Sequence, residues 1–175
     1  SAPDKGNSSV SQPPGTGQLD SGLAGYWKMD ENTGTTVGDS SPNANAGTRT
    51  CEGGLCANPA WITGQIGTAL DFNGTNNYVN ISDANTLDFV DSTNFSLSGW
   101  FNRDTFTTDD MIVSKRVVSI GNTGYVVYID DATDILTFNA HDGTDSYQLE
   151  SATTFTATGW NHYAIVWDDS GSGQT

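Results

Sequence analysis

FSLSGWFN, residues 95–102, alternates apolar and polar side chains so that Phe95, Leu97 and Gly99 fall on one face of an extended chain. A second stretch, HYAIVWDD at 162–169, does the same with Tyr163, Ile165 and Trp167. Successive side chains of a strand point to opposite faces, so a period of two marks strands with one face buried and one in water. Outward from these two, short apolar stretches recur at 25–30 (GYWKMD), 68–72 (TALDF), 78–81 (YVNI), 111–116 (MIVSKR), 124–130 (GYVVYID), 135–140 (ILTFNA) and 147–150 (YQLE). Segments rich in Gly, Asn and Asp separate them at intervals of roughly ten residues, the rhythm of an all-β sandwich. Convincing 3.6-residue periodicity with caps is absent. The expected fold is therefore an antiparallel β-sandwich in which helix is a minor component.

The 175 residues suit one domain with a sizeable core. Charged residues make up only 15%, and Thr, Ser, Asn and Gly supply most of the polarity, which favours strands and turns. With 21 acidic against 6 basic residues the formal charge is −15. That field repels phosphate backbones and anionic headgroups, so neither nucleic acid nor a membrane is an expected partner, and no apolar run is long enough for membrane insertion. Acidic and amide-rich loops do offer the hard oxygens that Ca²⁺ prefers, although the charge also serves simple solubility. Residues 1–20, SAPDKGNSSVSQPPGTGQLD, have almost nothing to bury and read as a flexible tail or linker. Cys51 and Cys56 enclose EGGL and lack the further Cys or His pair of a zinc site, so a small disulfide-closed loop is expected. A disulfide points to an extracellular or cell-surface location.

The segment GLAGYWKMDENTGTTVGDSSPNANAGT, followed by WITGQIGTALDFNGTNNYVNI, FSLSGWF, IVSK, GYVVYI, LTF and WNHYAIVWDD, resembles laminin G-like domains of the concanavalin A-like jelly-roll group, over residues 23–169. The resemblance implies a concanavalin A-like jelly roll spanning 21–175, with GYWKMDE as an edge-proximal strand. It also implies that TALDF and YVNI pair through NGTNN (73–77), with Gly74 available for positive φ. Several further strands are implied after DDSGSGQT, so the domain is expected to be C-terminally incomplete. A fragment, a cleaved end, or strands donated by a neighbouring copy would each account for this.

A hydrolase on this fold needs paired carboxylates such as the E-x-D-x-x-E of glucanases, and the only glutamates, Glu31, Glu52 and Glu150, lie near turns or strand ends. The histidines, His141 and His162, suit structural roles, and no GxSxG is present, so an enzyme is not expected. A Ca²⁺ site is a candidate in the loop GDSSPNANAG, where Asp39 and Asn43 stand beside Ser40 and Asn45; the same residues are also good turn formers. The resemblance adds Asn77 as an amide ligand, where relatives often carry carboxylates. Exposed aromatics are the usual platform for sugars. Trp61 in the loop NPAWITG, Phe106 in the turn DTFTTDD and Tyr147 near HDGTDSY are the candidates, with packing of Trp61 on the 51–56 loop as its alternative. Trp27, Trp100, Trp160 and Trp167 fall in strand patterns and are expected to pack. The functional expectation is a non-catalytic recognition or adhesion domain for glycan or a matrix protein. The alternatives are a filament subunit completed by strand exchange with other copies and, behind it, a glycoside hydrolase.

Overall fold

The computed structural model describes residues 22–54, 57–89, 94–104, 109–116, 123–156 and 158–168. The expected tail at 1–20, Cys56, Phe106 and the final seven residues lie outside them. The chain passes through β1 (Thr36–Val37), β2 (Gly47–Cys51), β3 (Ala60–Thr63), β4 (Thr68–Asp71), β5 (Asn77–Ile81), β6 (Phe95–Asn102), β7 (Asp110–Arg116), β8 (Gly124–Ile129), β9 (Ile135–His141), β10 (Ser146–Thr154) and β11 (Trp160–Trp167). Among the described residues the only helical element is a 3-10 turn at Asn85–Leu87. The chain is all-β, as its period-two pattern implies.

Every strand pairing among the described residues is antiparallel. One sheet runs β10-β9-β8-β7, and β11-β6 form a second ribbon. The core lies between these two. Tyr125, Val127, Ile129, Leu136, Phe138 and Ala140 project from the four-stranded sheet toward Phe95, Tyr163, Ile165 and Trp167 of β6 and β11. Trp167 sits at the centre, with ring centroids 5.1 Å from Tyr147, 5.8 Å from Phe138 and 6.1 Å from Phe95. Each such aromatic buries a large apolar area and adds an edge or offset contact, which makes this sandwich the energetic centre of the fold.

A buried cation ties the sandwich ends together. Arg103, just past β6, pairs through Nε with Asp110 at the start of β7 and through Nη1 with Asp134 in the β8–β9 turn, and also donates to the Phe155 carbonyl at 3.4 Å.

The N-terminal strands form a three-stranded sheet, β1-β2-β5, and a β3-β4 hairpin. Three local expectations change here. GYWKMD is not a strand: Trp27 makes a single bridge to Asp39, and Met29 already has a φ of 59°, which interrupts extension. NPAWITG contributes a strand, β3, where a loop is expected, because Trp61 pairs with Leu70. Finally, NGTNN is a turn but not a hairpin, since β4 pairs with β3 while β5 pairs with β2. Asn73 Oδ1 accepts the N–H groups of Thr75, Asn76 and Asn77 at 3.1–3.2 Å, and this Asx-type turn redirects the chain from one sheet to another.

Candidate functional site

Strand alternation sends Tyr125, Val127, Phe138 and Ala140 inward, so their neighbours Tyr128, Asn139 and His141 must line the opposite face of the four-stranded sheet. Register then aligns one residue per strand. Arg116, Gly124, His141 and Ser146 form one row across β7, β8, β9 and β10, and Ser114, Val126, Asn139 and Gln148 form the next. Adjacent strands lie about 4.8 Å apart, so each row spans roughly 14 Å. A polar cleft of about 180 Å³ opens here, walled by Arg116, Asn139, His141, Ser146 and Gln148. Gly124 provides part of its floor. Its φ is +126°, and a Cβ there would stand 1.9 Å from the Lys115 carbonyl oxygen, so only glycine fits.

The cleft presents both donors and acceptors. His141 Nδ1 accepts the Gly143 N–H at 2.9 Å, which leaves the proton of a neutral ring on Nε2 as a donor. Asn139 donates Nδ2 to Tyr128 Oη at 3.3 Å, and Gln148 donates Nε2 to Glu150. These bonds orient the amides so that Asn139 Oδ1 and Gln148 Oε1 act as acceptors. Asp142 beside His141 caps the Thr144 and Asp145 N–H groups at 2.7 Å, and those two bonds hold its carboxyl below the ordinary range. The arrangement suits a polyol, whose hydroxyls both donate and accept.

The sites expected from sequence are placed elsewhere. Asp39 is surrounded by its own loop: its two oxygens accept the N–H groups of Tyr26, Ser41 and Asn45 and the Ser41 hydroxyl, all at 2.7–2.8 Å. Burial pushes its carboxyl up, but those bonds outweigh it and hold the group below its ordinary value. Asn43 Nδ2 donates to the Leu23 and Ala24 carbonyls at 3.1 Å. Asn77 pairs with Cys51 at one end of β2–β5, whereas the 39–45 loop enters at the other end, where Gly47 opposes Ile81; four residue steps of strand separate the two ends, about 13 Å. The structure therefore does not bring Asn77 to Asp39 and Asn43. Among the described residues no group of three or more His, Cys, Asp or Glu side chains gathers for a metal.

Trp61 is half-buried, with the Arg49 guanidinium 4.9 Å from its ring centroid, so one face is already covered. Tyr147 leans edge-on against Trp167 and flanks the core. Trp100 reverses its expectation: it is 45% exposed on the Ser96 and Ser98 side of β6, edge-on to His162 at 5.0 Å. Cys51 is not a free thiol, and Cys56, the chain's only other cysteine, lies outside the described residues. Sequence reasoning missed the cleft, although the parity of ILTFNAH already set Asn139 and His141 on one face. No local signal links them to Arg116 or Gln148.

No helix among the described residues is long and apolar enough to cross a membrane. The sequence profile of the Concanavalin A-like lectin/glucanases superfamily matches residues 73–175, which takes in β5 to β11 and the whole cleft. Among curated proteins and among solved structures, none matches the chain.

Proposed function

Because the chain belongs to the concanavalin A-like lectin/glucanases superfamily, we propose that it is a non-catalytic recognition domain, extracellular or cell-surface, whose β7–β10 cleft holds a saccharide. The observation that carries this is the mixture of donors and acceptors on one sheet face, Arg116, His141 and Ser146 beside Asn139 and Gln148, with the imidazole and both amides oriented by their own hydrogen bonds. A pyranose can satisfy such groups without leaving buried polar atoms unpaired. Recognition is favoured over hydrolysis because the cleft is walled by amide, imidazole, guanidinium and hydroxyl groups, while Glu150, next along β10, is engaged by Gln148. Glycan-array screening followed by calorimetry tests this. Saturable binding that is lost in Asn139→Ala and Gln148→Ala, with no oligosaccharide cleaved on long incubation, is the expected result, and turnover would overturn it.

Two smaller elements belong to the same proposal. A Cys51–Cys56 bridge closes the loop after β2, and thiol titration before and after reduction tests it. A structural Ca²⁺ at the 39–45 loop would have to take Asp39 from its four loop donors; a rise in Tm on adding CaCl₂, reversed by chelator, is its test. One observation favours assembly as a second function. Among the described residues β6 and β11 pair only with each other, and they display Trp100 and, 64% exposed, Val166. Light scattering across a concentration series would detect pairing of such edges with other copies.

A further inference from the structure

The chain carries 6 Lys and Arg residues against 21 acids, so a cation without a partner is unusual. Lys5 lies outside the described residues. Lys28 sits 5.3 Å from the Tyr26 ring centroid, Arg49 donates to the Pro59 and Gly34 carbonyls, and Arg103 pairs with Asp110 and Asp134. Lys115 bridges Asp83 and Asp88. Among the described cationic residues only the side chain of Arg116 has no ion pair, hydrogen bond or ring contact, and it forms one wall of the cleft. Across its row the sheet offers Gly124, His141 and Ser146, none of them an acid. In so acidic a protein, a guanidinium with no carboxylate opposite it marks a place for an anion brought by a ligand.

Resting on the recognition reading above, we propose that the cleft takes an acidic saccharide, a hexuronate unit whose carboxylate forks onto Arg116. The planar guanidinium matches a carboxylate through two parallel N–H bonds. Ring hydroxyls then donate to Asn139 Oδ1 and Gln148 Oε1 and accept from His141 Nε2. Gly124, without a side chain, separates Arg116 from His141 in that row, and the ring is placed over it. A volume of about 180 Å³ is below the roughly 300 Å³ at which pockets for drug-sized ligands begin, so one sugar unit is held at a time. The nearby acids Glu150 and Asp142 are engaged, by Gln148 and by the Thr144 and Asp145 N–H groups, and at physiological ionic strength charges beyond about 8 Å are largely screened while the contact at Arg116 is not.

The test is calorimetry of the 175-residue chain with gluco-, galacto- and mannuronate trisaccharides, their carboxyl-reduced neutral counterparts and a sulfated neutral trisaccharide. At least one uronate should bind about tenfold or more tighter than its reduced form, the value of a charge-assisted pair. Arg116→Gln should abolish that difference while leaving the urea midpoint unchanged. Arg116→Lys, which keeps the charge without the fork, should be intermediate and serves if the glutamine variant is poorly folded. Equal binding of acidic and reduced sugars, or an Arg116→Gln variant that keeps the preference, overturns the acidic-ligand inference. The recognition reading then survives if Gln148→Ala still loses the neutral sugar. Preference for the sulfated sugar overturns the carboxylate assignment, and no binding to any trisaccharide overturns both readings.

Discussion

Arg103 is the side chain whose removal should be felt furthest from its own position. Its side chain is 3% exposed, yet it carries a full charge, shared between Asp110 and Asp134 on two different segments. Arg103→Met keeps much of the volume and strips the charge. Each charge-assisted hydrogen bond contributes about 1.5–3 kcal/mol when its partner is left behind. Both carboxylates reach water, at 31% and 27% exposed, so the sum has to be roughly halved. A loss of about 1.5–3 kcal/mol remains, which for a chain of this size lowers Tm by roughly 3–12 °C. Urea and thermal unfolding followed by tryptophan fluorescence measure it. Adding Asp110→Asn and Asp134→Asn to the arginine variant should recover part of the loss, because two unanswered acids are removed as well. Asn also tolerates the φ of +56° at position 134, so that change tests charge and not backbone. An Arg103→Met variant within about 0.5 kcal/mol of the parent, the ordinary range of surface substitutions, would refute the idea that this cation holds the sandwich ends together.

Gly124→Ala places a Cβ against the Lys115 carbonyl at a φ of +126°; a loss of about 1–3 kcal/mol in urea unfolding is expected, together with loss of saccharide binding as the floor of the cleft shifts. The Asp39 carboxyl lies below its ordinary value in the folded chain, so its contribution is present above the ordinary carboxylate range and is lost as pH falls through the lower folded value. Asp39→Asn should therefore lower stability near neutrality and flatten the decline below about pH 4, read from urea midpoints across pH. Burial pushes Tyr125 and Tyr163 up to about 12. Their contribution is complete below the ordinary phenol value and is lost as pH rises through about 12, so ultraviolet titration should show these two ionising late, and Tyr125→Phe should remove one of the late steps.

The alternation in FSLSGWFN, ILTFNAH and NHYAIVW determined by itself that the chain is all-β and which side chains form its core, because the pleat ties sequence parity to face. Phe95, Phe138, Tyr163 and Trp167 are buried for that reason. The same parity sets Trp100 outward with Ser96 and Ser98, although its size suggests packing. Only tertiary structure decided which strands meet. NGTNN carries turn chemistry whether it closes a hairpin or sends the chain to another sheet, and the long-range pairing of β2 with β5, with β4 already taken by β3, made the choice. Trp61 reads as an exposed platform until Arg49, twelve positions earlier, is brought over its ring. The cleft depends on such pairings throughout, since Arg116, His141 and Gln148 become neighbours through the register of four strands. Local sequence encodes face and turn, whereas register is chosen by the packing energy of the whole sandwich.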